Sequence, residues 1–500
     1  MIATADPVRW NGAMPARRPD APVRPLTGRT AVVVGSGPNG LSAAISLAEA
    51  GADVRVIEGR STIGGGTRTE DLTGDGLLHD VCSAAHPMAL ASPALTGYQL
   101  ERHGLRWAWP EIDLVHLLDG DRAGVLWRDL DRTAAGLGED GPRWRRVFGP
   151  LVRRFDDLAE DALGPMLRWP AHPLTLARFG VGAALPANWL TSMWRRPETR
   201  GLFAGVAAHA MTSLRIPFSS AVGLMLTTVA HRHGWPVAVG GSAAISSAMA
   251  ARLHELGGRI ETDTWVRSID QLGRPDITVL DLNPRDAAAL FGARMPPRRR
   301  RSLDRYRYGP GAYKVDFAVR GGVPWTNPQA RRAGTVHLGG TLGEVHRAER
   351  DAGSGRLSSA PFTLVGQQYL ADPSRSSGDL HPVWTYAHVP HGFTGDATEA
   401  IIGQLERFAP GFSERIVSHV VSRPADLEAG NPNYVGGNIN TGANDGLQLL
   451  LRPGLAANPY RTGIRGVYLC SAATPPGPGV HGMGGFHAAR AAVADFGDSR

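Results

Sequence analysis

One stretch near the start of the chain constrains its fold more than any other. Residues 29–58 read as a short β-branched strand, a glycine turn, an apolar helix, a second turn and a second strand. The glycine turn has the spacing G-x-G-x-x-G, and the second strand ends in an acidic residue 23 positions after the first glycine. This combination predicts a βαβ unit of a Rossmann-type sheet that binds a dinucleotide.

Each glycine of this turn has its own physical role. Gly35 permits the tight turn, Gly37 lets the backbone approach a pyrophosphate, and Gly40 allows the helix and strand to pack closely. The free amides and positive dipole end of a helix beginning near Pro38 favour the negative charge of that pyrophosphate. Glu58, at the end of the second strand, is expected to accept hydrogen bonds from a ribose diol.

Length and composition limit the class of protein. Five hundred residues, 42% hydrophobic and 20% charged, predict two or three globular domains. The net charge of +7 comes almost wholly from arginine and gives no specific indication of nucleic-acid binding. Cys82 and Cys470 form no C-x-x-C pair, which predicts a reduced, cytoplasmic protein. Residues 1–28 lack the apolar core of a signal peptide and are predicted to be a disordered tail, and no stretch is apolar enough to span a membrane.

Nucleotide-domain and cap-like segments alternate along the chain. Residues 143–233 are predicted to be short helices divided by prolines, which suits a cap over a pocket. The predicted fold is α/β, a Rossmann-type dinucleotide-binding domain with an interleaved α+β substrate domain. The dinucleotide-binding domain is predicted from residues 29–85, 234–309 and 431–500, and the substrate domain from residues 86–233 and 310–430.

Several later segments carry local predictions. Residues 260–266 and 277–282 are strand candidates that extend the first sheet, and the arginine-rich run 296–301 is predicted to be a solvated loop. A strand at 467–470 is followed by a Pro/Gly loop and a helix starting near Gly482. The amides of that helix can face a cofactor, so distant parts of the chain would share one site.

The motifs together identify a family resemblance that runs from about Arg29 to the end of the chain. They are the first glycine turn with Glu58, a second glycine turn at Gly64-Gly65, the pair Gly240-Gly241 and the block 468–489. They resemble the phytoene (carotenoid) desaturase-like FAD-dependent oxidoreductases. Within that family the run Asn431-Pro-Asn-Tyr-Val-Gly-Gly437 is similar to the branch of pyridine nucleotide-disulfide oxidoreductase domain-containing protein 2.

The resemblance implies a set of FAD-binding residues. The pyrophosphate would lie on the first turn, at Gly35, Ser36, Gly37, Pro38, Asn39 and Gly40, and the adenosine ribose on Glu58. The second turn would contribute Gly64, Gly65, Gly66, Thr67 and Arg68. Arg68 would have to supply any arginine contact, because Gly66 stands where many relatives carry arginine. Val266 would lie beside the adenine, and the flavin end would contact Ser471, Ala472, Gly479, Val480 and Met483.

The leading functional hypothesis is an FAD-dependent dehydrogenase or oxidase that removes hydride from a largely apolar small molecule. Two alternatives are an amine oxidase-type enzyme acting on a polar substrate and a non-catalytic FAD-binding scaffold. The absence of a second G-x-G-x-x-G motif predicts that electrons leave to oxygen, a quinone or another diffusible acceptor. A peripheral membrane contact is left open by the arginine-rich composition.

Catalytic residues are not fixed by any motif. Tyr434, Asn438 and His481 are candidates, because the two glycine-rich segments that carry them should converge on the flavin. A histidine that hydrogen-bonds its own loop is the alternative role of His481. No metal site is predicted, since His231 and His233 have no acidic or cysteine neighbours with ligand spacing.

Overall fold

A computed structural model describes residues 25–497 of the chain. Its strands, in chain order, are β1 (Thr30–Val34), β2 (Asp53–Ile57), β3 (Thr69–Glu70), β4 (His79–Asp80), β5 (Trp107–Ala108), β6 (Ile112–Leu118), β7 (Arg122–Leu126), β8 (Val237–Ala238), β9 (Arg259–Glu261), β10 (Ile277–Leu280), β11 (Gly311–Arg320), β12 (Ala333–Leu338), β13 (Thr363–Gly366), β14 (Leu380–Val389), β15 (Ile416–Ser422) and β16 (Val467–Leu469).

The α-helices, in chain order, are α1 (Pro38–Glu49), α2 (Pro87–Leu90), α3 (Pro93–Gly97), α4 (Leu130–Gly136), α5 (Gly141–Arg153), α6 (Phe155–Ala162), α7 (Pro173–Ala183), α8 (Ala187–Leu190), α9 (Pro197–Ala208), α10 (Ser220–His233), α11 (Ala243–Glu255), α12 (Pro284–Phe291), α13 (Pro297–Asp304), α14 (Leu342–Gly353), α15 (Thr398–Phe408), α16 (Pro424–Gly430), α17 (Gly446–Leu451) and α18 (Met483–Phe496). None of the helices within residues 25–497 combines the length and apolarity needed to cross a bilayer.

The first sheet is parallel throughout and has the strand order β16-β10-β1-β2-β9. Its central strand β1 is a run of small and β-branched residues that suits a strand buried on both faces. Helices α1, α11 and α18 pack on one face, and α12 packs on the other. The carboxyl ends of the strands therefore meet at one edge, where ligands bind in open α/β sheets.

The second sheet has the order β15-β11-β14-β13-β12-β6-β7 and is antiparallel except for the pair β12 and β6. Helix α15 covers one face with Ile401 and Leu405, both fully buried. Burying each side chain contributes about 1.5–3 kcal/mol. Helices α9 and α14 cover the other face, and α5 to α10 extend from there towards the first sheet.

A buried ion cluster around Arg375 joins segments that are far apart in the chain. Arg375 is 1% exposed, and its Nη1 lies 2.6 Å from Oδ2 of Asp80, while its Nε lies 3.2 Å from Oδ2 of Asp372. The guanidinium also donates to the carbonyl of Ala238 at 2.8 Å. The attraction of Arg375 lowers the pKa of Asp80, although burial acts in the opposite direction.

The structure corrects several local predictions. The run 296–301 is not a loop but the start of α13, because Pro297 occupies the first helical turn and arginine is a good helix former. The strand predicted at 260–266 is only β9, and the one predicted at 277–282 ends at Leu280. The predicted strand near 467 lies in the first sheet as β16.

Two predicted boundaries also shift. Most of the predicted tail 1–28 lies outside the described residues, but residues 25–28 form a turn whose Leu26 is fully buried against the first domain. The predicted substrate domain includes residues 86–105, yet Leu95 and Tyr98 pack on α1, and the Tyr98 hydroxyl hydrogen-bonds Ser42 at 2.8 Å. The interleaved domain division stays a prediction, with its first boundary moved towards Leu105.

Candidate functional site

A single cavity of about 920 Å³ runs from the carboxyl edge of the first sheet to the covered face of the second. Its size lies near the upper end of the roughly 300–1,000 Å³ typical of small-molecule sites. One end is lined by the glycine turn after β1 and by polar residues, and we call it the nucleotide end. The other is lined by α7, α10 and the second sheet, and we call it the apolar chamber.

The first glycine turn forms the wall of the nucleotide end. Gly35 has φ +97°, a left-handed conformation that glycine adopts without strain. A Cβ on Gly37 would lie 2.7 Å from a carboxylate oxygen of Asp281, and a Cβ on Gly40 would collide with the carbonyl of Gly35. The carboxylate of Asp281 accepts from the amide of Gly40, whereas the amides of Gly37 and Asn39 have no partner among the described residues and remain available to a ligand.

Glu58 is held in place by the turn that it faces. It is 8% exposed, and its Oε2 accepts hydrogen bonds from the amide and hydroxyl of Ser36 at 2.9 and 2.6 Å. Its Oε1 accepts from the amide of Arg60 at 2.9 Å and lies 3.8 Å from Nη2 of Arg68. A carboxylate has about four acceptor positions, so Glu58 can still accept from a ligand hydroxyl.

Asp281 lies at the same wall, one residue beyond β10, and no role was predicted for it. It is 8% exposed, and its Oδ2 accepts from the amide of Gly40 at 3.0 Å. Burial raises the pKa of Asp281 to about 7, and the charge of Glu58 acts in the same direction. A protonated Asp281 removes a negative charge from the place where a diphosphate would lie.

The second glycine turn packs directly on the first. The amide of Gly64 donates to the carbonyl of Ser36 at 3.1 Å, and a Cβ on Gly65 would lie 3.1 Å from the Cα of Gly37. Thr67 closes the turn by donating its hydroxyl to the carbonyl of Gly64 at 2.8 Å. Of the predicted second-turn residues, the cavity is lined by Gly65, Gly66, Thr67 and Arg68 but not by Gly64.

The third wall of the nucleotide end contains Val266 and its neighbour Trp265. Both line the cavity, and a Cβ on Gly59 would lie 2.7 Å from the Trp265 ring. Trp265 is 45% exposed although it is a large aromatic residue. An exposed indole beside a nucleotide-sized groove offers a flat surface for stacking. The sequence indicated Val266 only through the family resemblance and gave no reason to choose Trp265.

The C-terminal segment contributes the wall where the two ends of the cavity meet. Ala472, Gly479 and Val480 line the cavity, whereas Ser471 and Met483 lie behind that lining. Ser471 is fully buried, and its hydroxyl has no hydrogen-bond partner within the described chain. Four predicted contact residues are thus outside the lining, namely Gly40, Gly64, Ser471 and Met483.

The three catalytic candidates differ in what they face. Tyr434 lines the cavity, and its hydroxyl occupies the space that a Cβ on Gly66 would need. Burial raises the pKa of Tyr434 well above its ordinary value, so the hydroxyl keeps its proton. His481 also lines the cavity, but its Nδ1 accepts from the amide of Met483 and its Nε2 lies 3.1 Å from the carbonyl of Gly477.

Asn438 is the candidate that the structure corrects. It is 1% exposed and does not line the cavity. Its Nδ2 donates to the carbonyl of Pro310 at 2.7 Å, and its Oδ1 accepts from the amide of Gly442 at 2.6 Å. Both ends of the amide are therefore used to hold the loop, and Asn438 is a supporting residue rather than a catalytic one.

The apolar chamber is lined mainly by apolar and aromatic side chains. Its lining comes from helices α7, α10 and α17 and from the second sheet, and includes Leu176, Phe179, Val222, Met225, Leu364, Trp384, Tyr386, Ile439, Leu449 and Leu450. The charged side chains that line the cavity are all at the nucleotide end: Glu58, Arg60, Arg68, Arg267, Asp281 and Asp286. Among the described lining residues, the chamber thus has no charge to bind a cationic or anionic group.

FAD fits the donor set at the nucleotide end. The free amides of Gly37 and Asn39, the lack of room for a Cβ at Gly37 and the acceptor positions of Glu58 suit a diphosphate and a ribose. The apolar walls beyond them, with the buried unpartnered hydroxyl of Ser471 close behind, suit a flat ring system with polar edges.

Comparison with known proteins agrees with this geometry. The family described as NAD(P)-binding Rossmann-like domain matches residues 33–105. The chain is 26% identical to rat pyridine nucleotide-disulfide oxidoreductase domain-containing protein 2, covering 93% of each. It is 27% identical to hydroxyneurosporene desaturase of Rubrivivax gelatinosus, covering 45% of each.

A solved structure of putrescine oxidase shares the fold. Its TM-score is 0.58 and its identity 18%, and the match covers 93% of this chain and 98% of that one. By sequence and by fold, the chain therefore resembles the phytoene (carotenoid) desaturase-like FAD-dependent oxidoreductases, and over most of its length it is similar to pyridine nucleotide-disulfide oxidoreductase domain-containing protein 2.

Proposed function

We propose that this protein dehydrogenates a largely apolar small molecule by hydride transfer to bound FAD. The observation that carries the proposal is the single cavity of about 920 Å³ that joins a glycine-turn nucleotide end to an uncharged apolar chamber. Bound FAD would supply the two-electron oxidant at the junction. The protein then has to hold the substrate, exclude water and keep the reacting groups aligned.

The cofactor contacts form part of this proposal. The diphosphate would lie on the amides of Gly37 and Asn39, and the ribose on Glu58. Trp265 and Val266 would flank the adenine, which adds an aromatic surface to the predicted set. Arg68 pairs with Glu58 and donates to the carbonyl of Gly430 at 3.2 Å, so its proposed role is to orient Glu58 rather than to bind the flavin.

The chamber favours an apolar substrate over the amine alternative. A cationic amine placed there would lose its hydration without gaining a carboxylate partner, which is costly. Hydroxyneurosporene desaturase and putrescine oxidase are named for substrates of opposite polarity, so the relatives alone leave the choice open. The open chamber also argues against a non-catalytic scaffold, for which a filled substrate face would be expected.

Reduction of the flavin by substrate is the decisive experiment. Purified protein should be yellow, and anaerobic mixing with an apolar substrate should bleach the flavin absorbance. Reoxidation by oxygen and by a soluble quinone then identifies the acceptor. A colourless protein that takes up no FAD on reconstitution would refute the proposal, and reduction by NAD(P)H alone would reverse the direction of electron flow.

Tyr434 is the proposed residue for substrate positioning at the junction. Tyr434→Phe should slow the bleaching without releasing FAD, because it removes only the hydroxyl, which lies against Gly66 in the cavity lining. Tyr308→Phe is a matched control, since the Tyr308 hydroxyl bonds Oδ1 of Asn283 at 3.3 Å and does not line the cavity. Equal bleaching rates in both variants would remove Tyr434 from the active face.

The proposal includes a peripheral membrane contact beside the apolar chamber. Helix α7 lines the chamber with Leu176 and Phe179, while Leu174 on its outer side is 86% exposed. Trp169 and Trp189, on either side of this helix in the chain, are 92% and 65% exposed. Amphipathic aromatic side chains favour membrane interfaces. Wild-type protein should float with anionic liposomes, and Trp169→Ser combined with Leu174→Ser should abolish flotation. Unchanged flotation of this variant would contradict the proposed contact.

A further inference from the structure

A cluster of buried imidazoles lies against the inner wall of the apolar chamber. It contains His116 on β6, His337 on β12, His388 on β14, Glu349 on α14 and His209, which follows the last residue of α9. We call it the histidine cluster. Within this cluster, His209 lines the cavity. The other four residues are buried behind it and are at most 2% exposed.

Three of the histidines are in direct ring contact, and the Phe362 ring connects His388 to them, with ring centroids 5.3 Å from His337 and 5.4 Å from His388. Nε2 of His209 lies 3.1 Å from Nε2 of His337, so the two imidazoles share one proton in a hydrogen bond. His337 also packs edge-on against His116, with ring centroids 6.0 Å apart. His388 is bonded through Nδ1 to Oε1 of Glu349 at 2.5 Å. Nδ1 of His209 makes no hydrogen bond within the described part of the chain.

Two glycines of α9 leave room for these rings. Gly205 lies over His116 and His337, and a Cβ there would be 2.7 Å from Nδ1 of His337 and closer still to Nδ1 of His116. One turn earlier, a Cβ on Gly201 would be 3.0 Å from the His116 ring. The two glycines thus leave space that is filled by imidazoles rather than by a second helix side chain.

Several buried nitrogen and oxygen atoms of the histidine cluster have no hydrogen-bond partner. Nδ1 of His116, Nδ1 of His337, Nε2 of His388 and Oε2 of Glu349 are buried and have no partner among the described residues. Buried polar groups are normally paired, so such a set needs an explanation. Burial lowers the pKa of His209 to about 3 and that of His337 well below its usual value, so both rings are neutral.

A chain of hydrogen bonds connects His209 to the predicted flavin wall. Asn440 donates to the carbonyl of His209 at 3.2 Å, and Asn444 donates to the carbonyl of Ala210 at 3.1 Å. Arg452 bonds Asn444 and donates to the carbonyl of Ala472 at 2.9 Å. His209 is therefore anchored to the same loop system that carries Ala472.

We propose that His209, with His337 behind it, is the proton acceptor of this active site, and that the group it serves is the neutral hydroxyl of an apolar alcohol. This inference rests on the proposed function, because it assigns the proton that must leave when the flavin takes hydride. It makes His209 a catalytic residue and His337 a positioning residue, and it narrows the substrate class.

The reaction balances with these groups. The carbon–hydrogen bond of the carbinol would break, and bound FAD would accept the hydrogen with its electron pair as hydride. The O–H bond breaks as the carbon–oxygen double bond forms, and its proton goes to Nδ1 of His209. The resulting imidazolium of His209 donates its Nε2–H to Nε2 of His337. His337 is neutral, so it can accept this hydrogen bond and take up part of the positive charge. The organic product is a ketone or aldehyde, and the proton returns to solvent after release.

A neutral hydroxyl fits the chamber better than an ammonium group. The only carboxylate of the cluster, Glu349, is fully buried behind His388 and does not line the cavity. An ammonium substrate beside His209 would therefore bring a net charge that no accessible carboxylate balances, whereas a hydroxyl is neutral when it binds and can donate to the free Nδ1. The members of the cluster are also not arranged as a metal site within the described residues.

Octanoate tests proton acceptance without turnover. Its carboxylate resembles the developing alkoxide, so binding to the FAD-loaded protein should draw one proton onto His209. The bound carboxylate raises the pKa of His209 from its low value in the free protein, so the apparent dissociation constant, measured by calorimetry between pH 6 and 8, should rise with pH by up to about tenfold for each pH unit. In His209→Gln this dependence should disappear, and affinity at pH 6 should fall roughly 10- to 100-fold.

Two control variants separate this role from general effects of removing a histidine. His231→Gln removes a buried imidazole outside the cavity, where it accepts from Nε1 of Trp144 at 3.0 Å, and burial likewise lowers the pKa of His231 to about 4. His254→Gln removes an exposed one. Both should keep the proton linkage. If His209→Gln fails to fold, His209→Asn provides the same test. A pH dependence retained without His209 would place the proton on the probe and overturn the inference.

The substrate class is tested with matched eight-carbon probes. The wild-type holoprotein should bind 1-octanol more tightly than octylamine at pH 7, and His209→Gln should weaken 1-octanol about 3- to 10-fold, the loss of one neutral hydrogen bond. Tighter binding of octylamine would overturn the alcohol assignment. These outcomes are distinct from failure of the proposed function, which would appear as wild-type protein that retains no FAD or whose FAD no organic substrate reduces.

Discussion

Asp281→Asn tests whether the aspartate beside the first glycine turn is protonated near neutral pH. The substitution keeps the size of the side chain and an oxygen that can accept from the amide of Gly40, but it removes the ionisable proton. In the folded protein burial raises the pKa of Asp281 from 3.8 to about 7. At 1.36 kcal/mol for each pKa unit, the ionised form is destabilised by about 4 kcal/mol.

The sign of the pH dependence follows from this raised pKa. Between pH 4 and 7 the folded state holds a proton on Asp281 that the unfolded state has released, so the wild-type protein loses stability as the pH rises. Asp281→Asn has no such loss. The free energy of unfolding of the variant relative to wild type should therefore increase by roughly 2–3 kcal/mol between pH 5 and 7 and become constant above pH 7.

Urea unfolding of the FAD-free protein, followed by tryptophan fluorescence at several pH values, measures this difference. Asp263→Asn is the matched control, because Asp263 is exposed on the nearby loop and has φ +55°, a conformation that asparagine tolerates. FAD retention should follow the same pattern, with the variant retaining FAD better at pH 8 and equally well at pH 5. A stability difference that is constant across this range, or that shrinks with rising pH, would refute the reasoning.

Three further predictions concern the cofactor wall and the domain junction. Glu58→Gln should weaken FAD binding by about 1.5–3 kcal/mol in an equilibrium titration, and unchanged affinity would show that Glu58 does not contact the ribose. Gly37→Ala should abolish FAD uptake because its Cβ would lie 2.7 Å from Asp281, so a fully loaded variant would contradict the placement of the diphosphate. Arg375→Met should destabilise the protein by about 3–5 kcal/mol in urea unfolding, because it leaves buried carboxylates unpaired. Arg320→Met is the control, at an ion pair whose side chains are 62% and 66% exposed, and it should cost about 0–1 kcal/mol. Equal losses in the two variants would contradict the buried-charge argument.

The features of the fold that were predictable from sequence are those set by local chemistry. The strand, glycine turn and helix from Thr30 to Glu49 depend on neighbouring residues and on φ values that glycine permits, and they form where they were predicted. The run 296–301 was misread because arginine-rich composition resembles a loop, although a proline in the first turn and good helix formers specify α13.

The site was less predictable where it depends on long-range packing. Asp281 directly follows a predicted strand, and the rule that ligands bind beyond the carboxyl ends of parallel strands could have singled it out. His209 offered no such indication, because its partner His337 is 128 residues away and meets it only through the crossing of α9 over the second sheet. The prediction that Asn438 is catalytic failed because its position in a glycine-rich loop does not show which groups its side-chain amide bonds.

The order of strands in the first sheet has a consequence for synthesis of the protein. Strand β1 ends at Val34, but β10, its neighbour on one side, begins at Ile277, and the edge strand β16 begins only at Val467. At 5–20 residues per second a ribosome needs roughly 20–90 s to make the intervening chain. During that time the apolar strand that carries the glycine motif has emerged without all of its neighbours. A chain released early, even one long enough to contain the whole motif, would be a substrate for chaperones and proteases rather than a small flavoprotein.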